Sequence, residues 1–259
     1  MLRADFYRLF HSKGFYITQL VLILVVAFCV WDKGVFSMTV SEQNAQEIAQ
    51  RTDLIREMAC TSHQAVMAMS TMAAFLIYFS LPLFYMTVGA DLNSGTLKNI
   101  ISSGMPRTHY FFSKYCVFLM VTALQFIFYY GTTYLVAGFT NGFDALSLEW
   151  LSDFIRVFLV QYLSLQGVFA VTMLVIFLTL SNVWSILATI VVPLVLTVVQ
   201  IAYFTENKIF AYLNFQSMLN QAGALTLDSE FFLEFTPLAL LVIAACLLIA
   251  LVSFKQRDF

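Results

Sequence analysis

An all-α polytopic membrane protein is the fold class the sequence predicts, and three observations carry that prediction. Hydrophobic residues make up 61% of the chain and charged residues only 11%, against roughly half and a quarter in an average soluble domain. The apolar residues gather in six runs of the length a helix needs to cross a bilayer, about 17 to 25 residues. As bounded below, none of the six contains Asp, Glu, Lys or Arg. Each such charge near a helix centre opposes insertion by about 2.5 to 3.5 kcal/mol, whereas each Leu, Ile, Phe or Val favours it by about 0.3 to 0.6. The chain 1–259 reads as a single transmembrane domain without internal repeats.

Taken in order, residues 1–13 place Leu2, Phe6, Leu9 and Phe10 on one side of a helix, with Arg3, Asp5, Arg8 and His11 elsewhere. That pattern predicts a helix lying in the headgroup layer; a charged anchor that only sets topology is the plainer alternative. The first span, 15–31, follows a basic amphipathic tail and lacks a small-residue cleavage pattern, so it is expected to be retained. Residues 41–58, rich in Glu, Gln, Ala and Arg, are expected to be helical outside the membrane. The remaining spans are expected at about 65–89, 115–139, 157–180, 183–204 and 235–254. Between the last two, 209–221 reads as either a short helix or a re-entrant piece.

Lys and Arg are retained on the cytoplasmic side. The N-terminal tail, the second connection and the C-terminus hold eight of the 13 basic residues, and 12 of the 15 acidic residues lie on the other face. Both termini are therefore expected in the cytoplasm. The four cysteines show no paired spacing and the three histidines stand far apart, so neither a disulfide nor a metal site is expected.

The connection 91–107 is the most informative segment. Asn93 or Ser94 can cap a helix there, Leu97, Ile100 and Ile101 give it one apolar side, and Gly104 followed by Pro106 ends it. At about ten residues it is too short to span. An apolar face stranded between two spans needs a protein groove or the membrane surface to cover it.

At this point the chain resembles the permeases of the ABC-2 type of ATP-binding-cassette exporters. Those proteins follow an acidic residue after the second span with Gly-Thr-Leu, then a turn with an Arg, then a Lys at the start of the third span. Here stand Asp91, Gly95, Thr96, Leu97, Gly104, Pro106, Arg107 and Lys114. The close Phe254-Lys255-Gln256-Arg257-Asp258-Phe259 resembles the family's basic end with a final Asp. The resemblance implies an ABC-2, type V exporter-like fold and a homodimer or heterodimer with a second permease in the bacterial plasma membrane. It also implies that cytoplasmic ATPase subunits receive a coupling helix made of Asp91, Gly95, Thr96, Leu97, Lys98, Asn99, Ile100, Ser103, Gly104 and Arg107. A local Asp91–Arg107 ion pair steadying the turn is the competing reading of those two residues.

No Gly-x-x-x-x-Gly-Lys-Ser/Thr phosphate loop is present, so ATP and Mg are expected on the partner ATPase, and this chain is expected to hold no cofactor and no catalytic residue. No hydrolase or metalloprotease signature occurs either, and no nucleic acid is expected as a partner. The spans as drawn hold no carboxylate, which points to an external energy source rather than a proton relay. Polar-edged residues inside the spans, Tyr78, Tyr85, Gln125, Tyr129, Gln161, Gln166 and Gln200, are candidates for a translocation path, or alternatively bridges between neighbouring helices. Pro82 and Pro193 are candidate kinks.

Within the family the chain looks most like compact permeases that export small amphipathic peptides, such as the phenol-soluble modulin exporters, or that give immunity to peptide bacteriocins. Export of a drug or a lipid is the first alternative. A sensory or structural membrane protein without transport is the second.

Overall fold

The computed structural model describes residues 2–31, 61–93, 97, 102–145, 147–203, 207–223, 227 and 229–257. The helix expected at 41–58 and most of the connection 94–101 lie outside the described residues. Among the described residues every regular element is helical. Six helices are long and apolar enough to cross a membrane: Lys13–Trp31, Phe75–Leu92, Arg107–Asn141, Leu148–Thr179, Asn182–Tyr203 and Glu230–Gln256. The protein is a multi-pass membrane protein.

In chain order, α1 (Leu2–Phe10) precedes α2 (Lys13–Trp31), the first span. The second span is built in pieces: α3 (Ser62–Ser70), α4 (Phe75–Phe84), a π-helical stretch (Tyr85–Gly89) and α5 (Ala90–Asn93). There follow α6 (Arg107–Asn141), α7 (Leu148–Thr179) and α8 (Asn182–Tyr203). Two short helices, α9 (Lys208–Leu213) and α10 (Phe215–Gln221), lead to α11 (Ser229–Gln256).

Helix α7 is the centre of the bundle, packed by α11, α8 and α10, while α6 packs against α2 and α3. Over its apolar 18-residue stretch the fourth span is 61% buried inside the protein, whereas the corresponding stretches of the first, fifth and sixth are 22%, 22% and 28% buried. Those three outer helices present Leu20, Leu24, Leu194, Val198, Leu241 and Leu248 outward, the composition of a lipid-facing surface.

The break in the second span differs from the unbroken run expected at 65–89. Residues 71–74 leave the α-helix and bond i to i+3, as in Thr71 N–H to the Ala68 carbonyl (3.2 Å) and Met72 N–H to the Met69 carbonyl (3.0 Å). In a bilayer, backbone groups freed by such a break must find partners within the protein. They do. Gln161 Nε2 donates to the Ser70 carbonyl (2.7 Å), the Tyr129 hydroxyl to the Met69 carbonyl (2.8 Å), and the Ala74 N–H donates to Asn220 Oδ1 (3.0 Å).

Residues 209–221 form the end of α9 and α10, and α10 enters the core: Phe215, Met218 and Leu219 are buried, and the Leu219 carbonyl accepts from Gln161 Nε2 (2.8 Å). Its close approach to α7 depends on Gly167, where an added Cβ would lie 2.5 Å from the Phe215 ring. Pro82 lies just before the π-helical stretch, which fits a proline disturbing the hydrogen-bond ladder there. Pro193 sits inside an uninterrupted α8.

Candidate functional site

One end of the bundle carries a cluster of charges that the separate spans do not foretell. Helix α1 lies across the ends of the second and third spans and turns Asp5 and Arg8 toward Asp91 on α5 and Lys114 on α6. Lys114 is wholly buried; its Nζ is 2.6 Å from Asp5 Oδ1 and 2.7 Å from Asp91 Oδ2. Arg8 Nη1 donates to Asp91 Oδ1 at 2.6 Å, and Tyr110 donates its hydroxyl proton to Asp91 Oδ2 at 3.1 Å. Arg8 Nη2 also reaches the Met86 carbonyl (3.3 Å) beside the π-helical stretch.

Among the described residues two acids face two bases, so their charges balance, which is the condition under which charges survive burial. Burial alone would disfavour the Arg8 guanidinium's charge. The hydrogen bond and the negative charge of Asp91, with Asp5 adding to them, outweigh that and hold the Arg8 pKa above its ordinary value.

This geometry alters three sequence expectations. Lys114 was expected on the first turns of a helix opening near Thr108, ahead of the apolar run from 115; α6 does begin at Arg107, but it carries Lys114 buried in the core rather than at the surface. The ion pairs of Asp91 run to Arg8 and Lys114, and the local Asp91–Arg107 pair does not form; Arg107 Nη1 donates to the carbonyls of Phe254 (3.2 Å), Lys255 (2.7 Å) and Arg257 at the end of α11. Two of the charged residues on the helices that span, Asp91 and Lys114, are buried, where the spans drawn from sequence held no charge. Both belong to the charge cluster.

Of the coupling residues, Leu97 was expected to present its side chain to a partner. It is buried, 4% exposed, in the same core cluster as Tyr110, Phe111, Phe177 and Phe254. Leu97 thus ties the connection to the bundle. Gly104 adopts a φ of +88° with open space around it, as a turn before Pro106 requires. Ser103 lies in that turn and is exposed. Gly95, Thr96, Lys98, Asn99 and Ile100 lie outside the described residues.

The candidate path residues are placed mainly in helix-to-helix hydrogen bonds. Gln125 Oε1 accepts from Gln19 Nε2 (2.6 Å), Gln166 Nε2 donates to Thr122 Oγ1 (2.8 Å), and Gln200 Oε1 accepts from Asn214 Nδ2 (2.7 Å). Gln161 and Tyr129 hold the break in the second span, and Tyr130 donates to Gln161 Oε1. Tyr85 sits in the π-helical stretch and Tyr78 is half exposed. Five of the seven, Gln125, Tyr129, Gln161, Gln166 and Gln200, thus bridge neighbouring elements.

Asp5 and Arg8 are the site residues sequence reasoning missed, having been assigned to the polar side of a surface helix. Their one signal was that opposite charges stand three residues, about one turn, apart on a short amphipathic helix.

A family model described as Protein of unknown function (DUF2705) matches residues 54–259. The chain belongs to that family. The DUF2705 match takes in Asp91, Arg107, Lys114 and the whole of α11, while α1, which supplies Asp5 and Arg8, lies ahead of it. No curated protein and no solved structure matches the chain.

Proposed function

We propose that this chain is the permease subunit of an ATP-driven exporter of the ABC-2 kind, whose cargo is a small amphipathic peptide. The observation that carries the reading is the Asp5–Lys114–Asp91–Arg8 cluster, which joins α1 and the second and third spans at the root of the connection 94–106. A connection whose two flanking helices are locked to each other and to a third moves with them as one body. A push on it by a cytoplasmic ATPase would therefore tilt spans rather than merely bend a loop. Arg107 extends that body to α11. ATP and Mg belong to the partner, and the second permease copy would meet this one along the outer helices. The resemblance of Asp91, Gly95-Thr96-Leu97, Arg107 and Lys114 to the exporter pattern supplies the identity of the motor.

The burial of Leu97 decides how the test is made, because Leu97→Asp would damage the bundle itself. Lys98 and Asn99 are the residues to change. The chain is purified from its native membrane with a C-terminal tag. A co-purifying protein with a phosphate loop and ATPase activity is expected, and Lys98→Glu with Asn99→Asp should reduce its recovery at least fivefold while the amount of permease is unchanged. Full recovery with the double variant, or no ATPase in any preparation, sinks the proposal. A cysteine at position 99 labelled only from outside the cell would sink it equally.

A further inference from the structure

The end of the bundle remote from the charge cluster contains a cavity of about 370 Å³ between α3, α6 and α7. Its walls are Phe126, Tyr130, Gly131 and Tyr134 of α6 with Trp150 and Phe154 of α7, completed by neighbouring apolar side chains. The rings brace one another: Trp150 stacks on Phe154 at 5.3 Å, and Tyr130 meets Phe154 edge-on at 5.1 Å. Tyr130 turns its hydroxyl inward to Gln161, which leaves its ring face to the cavity. At Gly131 the space is open, since a Cβ built there meets no atom within 4 Å.

Three features identify the occupant. The volume would hold about a dozen waters at roughly 30 Å³ each, yet the walls offer no set of polar groups to bind them. The wall residue Ile127 is 67% exposed, and Leu135 of α6 with Leu151, Ile155 and Leu159 of α7 are exposed apolar residues of the two helices that form most of the wall, so hydrocarbon is the surrounding medium. From Phe126 to Tyr134 the cavity follows α6 for about 12 Å at 1.5 Å per residue, near the roughly 15 Å depth of one leaflet.

One end is marked as the headgroup end. There His63 stacks on Trp150 with ring centroids 4.0 Å apart, and the Asp144 N–H in the turn after α6 donates to Ser62 Oγ at the start of α3. Trp at such a boundary is the usual interfacial placement.

We infer that this cavity holds one acyl chain of a membrane glycerophospholipid, its terminus toward Phe126 and Phe158 and its headgroup beside Trp150. The inference does not depend on coupling to an ATPase.

Trp150 reports on it directly. With Trp31→Phe and Trp184→Phe it becomes the chain's single tryptophan, and the protein is reconstituted with rising fractions of phosphatidylcholine brominated along its chains. Quenching of Trp150 should saturate at a lower bromolipid fraction than that of the exposed Trp184 in its own single-tryptophan variant. Gly131→Leu, which places a side chain in the middle of the cavity, should reduce Trp150 quenching at least twofold and leave Trp184 unchanged. Gly131→Ala, for which there is room, should give a smaller reduction and guards against misfolding of the larger variant. Native mass spectrometry of the wild type should show a retained phospholipid that Gly131→Leu lacks. Equal quenching in wild type and both Gly131 variants would mean ordinary surrounding lipid and overturns the inference. So would quenching by a bromophenylalanine-bearing amphipathic peptide that Gly131→Leu abolishes, with no retained lipid, since the occupant would then be a peptide.

Discussion

Lys114 has no exposed surface, and its ammonium group has two carboxylate partners in place of water. A buried ion is stable only while it is paired, so deleting one partner costs more than the pair itself contributes. Lys114→Met should therefore lower stability by about 3 to 5 kcal/mol, because among the described residues Asp5 and Asp91 would share one base, the half-exposed Arg8. Adding Asp5→Asn to Lys114→Met restores one acid to one base and should recover most of that loss. Thermal unfolding in detergent, run as a double-mutant cycle, measures both. If Lys114→Met melts with the wild type, or the second substitution makes matters worse, charge parity is not what holds the node. The same reasoning explains what a reader of the sequence sees and misses. Asp91 and Lys114 stand out by pattern, but their partners Asp5 and Arg8 are some 80 to 110 positions away, and no local periodicity joins them.

At the scale of the elements, α2 and α6 to α8 and α11 were legible because each holds a long run of apolar residues, although α6, α7 and α11 begin eight, nine and six residues before the runs expected from 115, 157 and 235. The break at 71–74 was not, since Thr71, Met72, Ala73 and Ala74 include neither Gly nor Pro and are as apolar as their neighbours. What permits the break is a set of donors and acceptors, Gln161, Tyr129 and Asn220, brought from other helices. The start of α3 is held in a similar non-local way. Asp144, in the turn after α6, accepts from the His63 N–H (3.1 Å), while Ser62 N–H donates to the Gly142 carbonyl (3.3 Å), so orphan donors of the helix N-terminus are met. The hydrogen bond from the Thr61 side chain, then that from the His63 backbone, holds the Asp144 pKa below its ordinary 3.8. A carboxylate whose pKa is lower folded than unfolded stabilises the fold above the unfolded value and loses that contribution as pH falls through the folded one. Asp144→Asn should accordingly melt below the wild type at pH 7, and the gap should close as the pH is taken below 3.8. A gap that stays constant from pH 7 to pH 3 would show that the charge of Asp144 plays no part.

At the scale of the whole molecule, the two ends of the bundle are held by different chemistry. Stacked rings and backbone bonds to the carboxylate of Asp144 close the end around His63 and Trp150, whereas a set of opposed charges and a cation on helix carbonyls close the end around Lys114 and Arg107. Arg107 is the longest of those ties. The last carbonyls of a helix have no partners within it and carry the negative end of its dipole, and Arg107 supplies a cation with several donors to those of α11. Hydrogen bonds to a charged group contribute about 1.5 to 3 kcal/mol, less where solvent reaches them, so the tie is strong locally yet small beside the stability of a six-span bundle. Arg107→Met should thus leave the melting temperature nearly unchanged while amide exchange in the last two turns of α11 quickens about tenfold. Arg107→Lys, a cation without the planar fork, should fall between. Because Arg107 follows directly on the connection that ends at Pro106, the same experiment asks whether that connection and α11 move together. Unchanged exchange in α11 would mean that the last span ignores the connection, and a push delivered there would reach only α1 and the second and third spans.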